Sequence, residues 1–549
     1  MPLPDGRRFA ADVLLGILIP LGLAHVAPLV DRVPSLGVLR GPAGLVLVGV
    51  AAIVLLGRLV ADRGARSTMA LAHKQLLLLA AAFALYAAVG LHYAAGVQVS
   101  GDEPHYLVMA QSLWRDHDLD LRDEYDGEEW SEFVPGPLRP HWGAPRADGR
   151  PYPAHSPGLP LLLAPAYALG GRSGAVLVMA LVAAAAALVC QRLALRMTGD
   201  ASASLAAWLA AAGAPLFFYS FHLYTEAPSA LAAGGSLAIL LGSPAWPGAA
   251  IVALGAAALP WLHVKMIPAA VALGLVAGAR LRGRALVAFV LVAGAAALGF
   301  AIYYHAIFGV GSPLALYGGV PADARTLTWR SLAGLVLDRS YGLLPIAPVF
   351  VLALAGLPSL ARKRGAWPLV LLGLAVVAPL LSWRMWWGGQ CPPARFLVPL
   401  LPLLATALAL RLQESGTGLA RWFTGLTAAG AIFAAVAVAD PAARILLNRG
   451  NRPTRLWAAL SGGTAIGDYL PTLTHASERE ARVAVVWLVV LALLLVLDRL
   501  ARSRPRVDGL FGSFAAAVML LVLIGVTIDL AIGPSVPAAT VAPESAEPG

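Results

Sequence analysis

Apolar stretches of roughly 20 residues recur along the whole chain. They constrain the fold more than any other feature, because a helix of about 17–25 such residues is what crosses the hydrocarbon core of a bilayer. They lie near residues 12–30, 42–60, 75–97, 174–197, 202–221, 227–242, 248–262, 266–279, 285–305, 345–361, 366–382, 395–410, 422–439, 482–498 and 510–532. Backbone polar groups in hydrocarbon must be satisfied within the segment, so apolar runs of this length are read as helices. Composition agrees. Of 549 residues, 59% are hydrophobic and 13% charged, where soluble domains carry about 25% charge. That balance excludes a multi-domain cytosolic protein, a disordered chain and a nucleic-acid binder. The formal charge is +10, but the basic residues form short clusters between apolar runs rather than a groove that tracks phosphates. Cys190 and Cys391 fall in different apolar stretches, so no disulfide framework supports an extracellular domain. The expected fold class is all-α: a polytopic membrane protein of about 13–16 transmembrane helices, with juxtamembrane helices in a large first outer loop.

The basic clusters set the orientation. Arg58/Arg63/Arg66/Lys74, Arg192/Arg196, Arg280/Arg282/Arg284, Arg362/Lys363/Arg364 and Arg499/Arg502/Arg504/Arg506 take the cytoplasmic side by the positive-inside rule. They share one side only if the apolar segment 157–171 lies in the interface instead of crossing. About fifteen crossings then follow, with the N-terminus inside and long outer loops at 98–156, 306–344 and 440–481. The expected organisation is an N-terminal unit of extra helices and a basic loop (1–74), a core carrying the outer loop 98–156 (75–410), C-terminal helices with the outer loop 440–481 (411–532), and a disordered tail rich in Pro, Ala and Ser (533–549). Arg7 and Arg8 precede the first run as in a signal peptide, but a small-residue cleavage site is unconvincing, so an anchor is expected. No strong internal repeat is present.

The most informative segment is Ser100-Gly-Asp-Glu-Pro-His-Tyr-Leu-Val-Met-Ala-Gln-Ser-Leu-Trp114. Asp102 and Glu103 follow directly on a span. Pro104 suits the start of a helix, where its missing N–H is not needed. Tyr106, Leu107, Ala110, Leu113 and Trp114 recur at helical spacing, which predicts a helix lying along the membrane surface. Two carboxylates then stand at headgroup height, beside backbone donors able to receive an anion. A carboxylate there can take a proton from a hydroxyl or amine attacking at a lipid phosphate. Acids after a span are also ordinary outward-facing helix caps. The acidic run from Arg115 to Glu132 reads as a solvated surface. His105, His141 and His155 have acids nearby, but none has tight ligand spacing to another, so no metal site is predicted.

Gly101-Asp-Glu-Pro-His-Tyr-Leu107, followed by His155-Ser-Pro-Gly-Leu-Pro160 leading into an apolar stretch, resembles the GT-C glycosyltransferases. The resemblance is narrower to the branch of protein O-mannosyltransferases and lipid A aminoarabinose transferases. It covers the layout from about 75 to 410, and its sharpest motif is short, so it speaks for the superfamily and not for the substrate. It implies an integral membrane enzyme with an outer acidic residue in its first large loop, which takes a polyprenyl-phosphate sugar as donor and inverts the anomeric centre. Two features depart from the family pattern. Two extra spans precede the one before the acidic loop, and His155-Ser-Pro stands where a Lys- or His-Pro-Pro element is often seen.

Further candidates lie at outer span ends. Glu226, in His222-Leu-Tyr-Thr-Glu-Ala-Pro228, is an ionisable residue at a span end; the resemblance implies a second, supporting acid there, and a solvated cap beside Pro228 is the alternative. Lys265, the only lysine outside in this topology, either snorkels or meets an anion such as a phosphate. Ser382-Trp-Arg-Met-Trp-Trp-Gly-Gly-Gln-Cys-Pro-Pro-Ala-Arg-Phe396 is first an aromatic belt. Its Arg384 and Arg395 suit paired hydrogen bonds to phosphate, and Trp386 or Trp387 suits stacking on a sugar or isoprenoid. Arg339 and Tyr341 are expected in the same cavity.

Under the resemblance, Asp102 is the base, Glu103 or Glu226 its support, and His155, Lys265, Tyr341, Arg384, Trp386 and Arg395 bind substrate and phosphate. No cofactor is certain, and a divalent metal has no supporting motif. The expected partners are a polyprenyl-phosphate-linked sugar, a lipid, glycan or protein acceptor, and the bilayer, with no nucleic acid. The expected location is a bacterial plasma membrane with the site on its outer face. No phosphate-cradling nucleotide loop is visible in the cytoplasmic segments. A flippase or transporter of lipid-linked saccharides, or a ligase, is the alternative; transporters favour paired repeats and midplane charges, whereas the ionisable residues here gather at span ends.

Overall fold

The computed structural model describes residues 6–62, 71–143, 152–309, 329–381, 385–414, 417–448, 455–461, 465–474, 477–502 and 514–533. The first half holds α1 (Gly6–Ala24), α2 (Ala27–Arg32), α3 (Pro42–Asp62), α4 (Leu71–Gly96), α5 (Glu103–Arg115), α6 (Arg122–Asp126), α7 (Gly158–Thr198), α8 (Ala201–Ala212), α9 (Glu226–Leu240), α10 (Trp246–Leu262) and α11 (Ile267–Arg280). There follow α12 (Gly283–Phe308), α13 (Trp329–Leu337), α14 (Leu343–Ile346), α15 (Phe350–Arg362), α16 (Trp367–Leu381), α17 (Leu401–Gln413), α18 (Thr417–Ala439), α19 (Arg455–Leu460), α20 (Glu478–Ala501) and α21 (Phe514–Ile532). Among the described residues, six helices are long and apolar enough to cross a membrane, or seven if the bent pair Pro34–Arg40 and Pro42–Leu55 is one span. Shorter apolar helices such as Trp246–Leu262 and Trp367–Leu381 stand beside them. Extended pairing among these residues is limited to two isolated bridges. The protein is an all-α polytopic membrane protein. The proposed tail 533–549 lies outside the described residues except for Gly533.

The core is built round the second half of α7, which packs on α4, α8, α9 and α17. Its buried Ala180, Ala183, Ala184 and Ala187 keep the surface shallow, and small residues are what let membrane helices approach closely. The segment 157–171 holds the first part of α7, which starts at Gly158 and is set off from the rest by non-helical backbone at Gly170 and Gly171. The bend brings Gly174 against the Ala166 carbonyl.

A second close crossing joins α15 to α17. Any Cβ on Gly356 would strike the Ala407 carbonyl, with the Arg411 Cβ 3.1 Å away on the same side. Gly356→Ala is therefore expected to destabilise the fold by about 1–3 kcal/mol through overpacking. Thermal unfolding of the detergent-solubilised protein checks this, and an unchanged midpoint would contradict it.

The helix predicted after Asp102 is present as α5, but it does not lie exposed on a surface. Every residue from Glu103 to Ser112 is buried. The side expected to face water is covered by the loop that follows: Gln111 donates to Glu129 at 2.8 Å, and the Ser112 hydroxyl donates to the Asp118 carbonyl at 3.1 Å. The other side packs on α7. The acidic run is thus partly a lid over α5 rather than a free solvated face.

Among the described residues, members of the basic clusters gather at the ends of α7, α9, α11 and α17. Arg196 donates to the Leu241 carbonyl at the end of α9, and Arg280 donates to the Leu240 carbonyl at 3.1 Å. Gln413 ties α17 to the Thr198 carbonyl at 2.8 Å. Nearby in sequence, Arg411 pairs with Asp498 at 2.8 Å and Arg502 with Glu414 at 2.7 Å. Glu226 opens α9 at its opposite end.

Candidate functional site

Four segments far apart in sequence meet at that opposite end. Asp102 precedes α5, Glu226 is the first residue of α9, Lys265 sits in the turn Val264–Met266 between α10 and α11, and Arg395 opens the 3₁₀ segment Arg395–Leu400 that leads into α17. Gly101 makes the approach of the first segment possible. Its φ is +62°, and a Cβ there would strike the Gln390 carbonyl and the Tyr224 hydroxyl. Only glycine adopts that backbone freely.

The four charged side chains form an alternating chain. The Lys265 ammonium donates to Glu226 Oε1 at 2.7 Å. Arg395 Nε donates to the same oxygen at 3.1 Å, its Nη1 to the Gly388 carbonyl at 2.9 Å, and its Nη2 to Asp102 Oδ2 at 2.7 Å. Side-chain exposure is 11% for Lys265, 0% for Glu226, 5% for Arg395 and 26% for Asp102, so the Asp102 end is the more open one. Of the two carboxylates in the chain, Asp102 is the one partly open to solvent. Aromatic faces line the cations. Arg395 lies over the Tyr224 ring at 4.2 Å, and Lys265 over the Phe396 ring at 3.8 Å, which offsets part of the loss of water around both charges. A buried ionic group is tolerated when geometry and hydrogen bonds compensate its desolvation, and the Arg395 fork is filled in this way.

These surroundings set the protonation states. Burial pushes the Asp102 carboxyl up, but the Arg395 guanidinium outweighs it, with help from His155 and His263, and holds the acid well below the usual carboxylate range. Burial lowers Lys265 to about 8, against Glu226, which raises it. Burial also lowers His155, with Asp102 opposing. His105 falls to about 3 through burial and the neighbouring His141 and His155. Asp102 is thus ionised, and the buried imidazoles are neutral near pH 7.

An antiparallel bridge between Trp142 and Pro153 brings two histidines to the same place. Gly143 N–H donates to the Tyr152 carbonyl and Ala154 N–H to the His141 carbonyl, both at 2.9 Å. These bonds align His141 with His155, whose ring nitrogens are 3.3 Å apart. His105 stacks on His141 at 3.8 Å. Asp102, His141 and His155 each offer a ligand atom within 4.8 Å of the others, and two imidazoles with a carboxylate are donors suited to a borderline divalent ion. The spacing argument missed this group because a bridge across the loop, not a helical turn, makes the pair.

The other predicted residues divide. Both Glu103 oxygens are engaged, one by the Leu223 N–H at 2.8 Å and one by the Ser100 N–H at 3.2 Å, so Glu103 ties the loop to the segment before α9. Tyr341 is buried; its carbonyl accepts from the Ala394 N–H at 3.0 Å, which fixes the residue preceding Arg395. Trp386 is buried with its ring over Gly334 of α13, wedged between segments rather than presented to a sugar. Arg339 turns away, donating to the Gly467 carbonyl at 2.8 Å and lying near Asp468 and Glu480. Arg384 lies outside the described residues. Sequence reasoning missed Tyr224, Phe396, His141 and His263. Tyr224, Phe396 and His263 stand within one or two residues of Glu226, Arg395 and Lys265, and that proximity was the available signal.

Fold and site together define a polytopic membrane protein with a buried cation–acid chain, ending in one accessible carboxylate, at one end of its bundle. No protein-family model matches the chain, and no curated protein matches it. Among solved structures, it is similar to ArnT from Cupriavidus metallidurans bound to undecaprenyl phosphate, with 16% identity, 84% of this chain and 78% of that one covered, and a TM-score of 0.44. The apo state of the same protein matches over the same shares with a TM-score of 0.42.

Proposed function

We propose that this protein is a GT-C-type glycosyltransferase of the bacterial plasma membrane. In this reading it moves a sugar from a polyprenyl-phosphate donor to an acceptor at the outer face, with inversion. The observation that carries the reading is Asp102: an ionised, partly open carboxylate bonded to a guanidinium at the end of a buried chain holding a second cation. An acceptor hydroxyl or amine attacks the anomeric carbon, its proton passes to Asp102, and the sugar–phosphate bond breaks with its electron pair going to the departing lipid phosphate. Arg395 and Lys265 stabilise that charge. In the free protein Arg395 holds Asp102 too acidic to be a strong base. A donor phosphate competes for the same guanidinium, so donor binding raises the basicity of Asp102 where it is needed. Glu226 keeps both cations charged and oriented. Glu103 is a positioning residue, as are Tyr341 and Trp386, and His155 is in place to orient the acceptor or the phosphate. A flippase would need the same cations but no carboxylate poised to take a proton.

Lys265 supplies a test. Its ammonium is present below about pH 8 and is lost above it, so its contribution to phosphate binding falls as pH rises through that value. Glu226, Arg395, His263 and Asp102 face it. Undecaprenyl phosphate is expected to bind wild type several-fold more tightly than Lys265→Met at pH 7, with the gap closing by about pH 9 as the lysine deprotonates. The comparison cancels ionisation of the phosphate itself. Equal affinities at pH 7, or a gap independent of pH, would remove Lys265 from the phosphate clamp.

A further inference from the structure

We propose that Asp116, Asp123 and Glu124 form a calcium site that fastens the end of α5 to α6. It stands apart from the cation–acid chain and does not rest on the glycosyltransferase reading. Asp116 is the residue after α5, its N–H donating to the Ser112 carbonyl at 2.8 Å. Asp123 and Glu124 lie in the first turn of α6. The three carboxylates each bring an oxygen within 4.8 Å of the others.

The second observation is Glu124 itself. It is 1% exposed, and among the described residues neither of its carboxylate oxygens has a hydrogen-bond partner. The Ser112 hydroxyl beside it is donated to the Asp118 carbonyl. A buried carboxylate without partners is strongly unfavourable, and a native structure that holds one calls for an ion or water to explain it. The arginines of this segment are committed elsewhere: Arg115 pairs with Glu129 at 2.6 Å, and Arg122 with Asp120 at 3.0 Å. A divalent ion bound between the three converging carboxylates offsets their mutual repulsion.

The donor set selects the ion. All three ligands are hard oxygens with no imidazole or thiolate, which suits Ca²⁺ rather than Zn²⁺. Asp116 and Asp123 are exposed, so waters can complete the six to eight positions Ca²⁺ takes. A site with few protein ligands falls in the weak class, with a Kd on the order of 10⁻⁴–10⁻³ M. Its effect is local. The ion clamps the far end of the helix that starts at Glu103, directly after Asp102.

The test uses the full chain in detergent micelles with Tb³⁺ as the probe, since Tyr125 adjoins Glu124 and can sensitise its emission. Saturable emission displaced by Ca²⁺, together with a Ca²⁺-dependent rise in the melting temperature over EDTA, is expected. Glu124→Gln should abolish both responses, and Asp116→Asn should weaken Ca²⁺ competition about tenfold. His141→Ala should leave both intact, which separates this site from the histidine group. Should Glu124→Gln fail to fold, the exposed Asp116→Asn and Asp123→Asn variants carry the comparison. Wild-type emission and melting indifferent to Ca²⁺, or Asp116→Asn and Asp123→Asn variants that respond like wild type, would overturn the proposal.

Discussion

Asp102→Asn is expected to lower sugar transfer by about 10²–10⁴-fold, the span usual for loss of a general base, while undecaprenyl phosphate binding changes by no more than a few-fold. The substitution is close to isosteric. The amide carbonyl can still accept from Arg395 Nη2, now 2.7 Å from Asp102 Oδ2, so the guanidinium keeps its place. What is lost is the ability to take a proton from the acceptor. Turnover and donor affinity should be measured on the same preparation, with Glu103→Gln alongside. Both Glu103 oxygens accept backbone N–H bonds, so that variant is expected to lower the melting temperature and to cost less turnover than Asp102→Asn. Full transfer by the Asp102→Asn protein would place the base elsewhere. Unchanged transfer with altered lipid movement would favour the flippase reading.

How much of this was legible in the sequence depends on whether a feature is local. The apolar runs, the basic clusters and the start of α5 at Asp-Glu-Pro are local, and most of the helices follow them; the expected span 202–221 does not, since α8 ends at Ala212. The members of the charged chain were each visible for a local reason too, as ionisable residues at span ends. Their meeting was not visible. Lys265 and Glu226 are separated by 39 positions, Glu226 and Arg395 by 169, and Asp102 and Arg395 by 293, and no spacing rule reaches that far. The same limit hid the histidine pair, which depends on a bridge between Trp142 and Pro153, and the burial of α5, which depends on where the acidic loop folds. Trp386 illustrates the converse error. An aromatic residue at a span end reads as an interfacial belt or a stacking surface, but the missing side chain at Gly334 makes a slot that the indole fills.

Arg395→Met is expected to be the most damaging single change to stability. It leaves Glu226, wholly buried, with Lys265 as its remaining cation, and leaves Asp102 with none in the chain. Breaking a buried ionic group in this way costs about 3–5 kcal/mol. Arg395→Lys should rescue little, because an ammonium cannot span the Gly388 carbonyl, Glu226 and Asp102 at once as the planar fork does. Replacing the buried group whole is a different matter. In Glu226→Leu/Lys265→Met/Arg395→Met no buried charge is left unpaired, and Asp102, the most open member, can turn to water. Apolar replacement of a buried ionic cluster is often neutral or stabilising, so the triple variant is expected to melt near or above wild type while binding no lipid phosphate and transferring no sugar. A triple variant less stable than Arg395→Met alone would mean that the charges are kept for the fold. A stable, inactive one would mean that the protein bears their desolvation for the chemistry at Asp102.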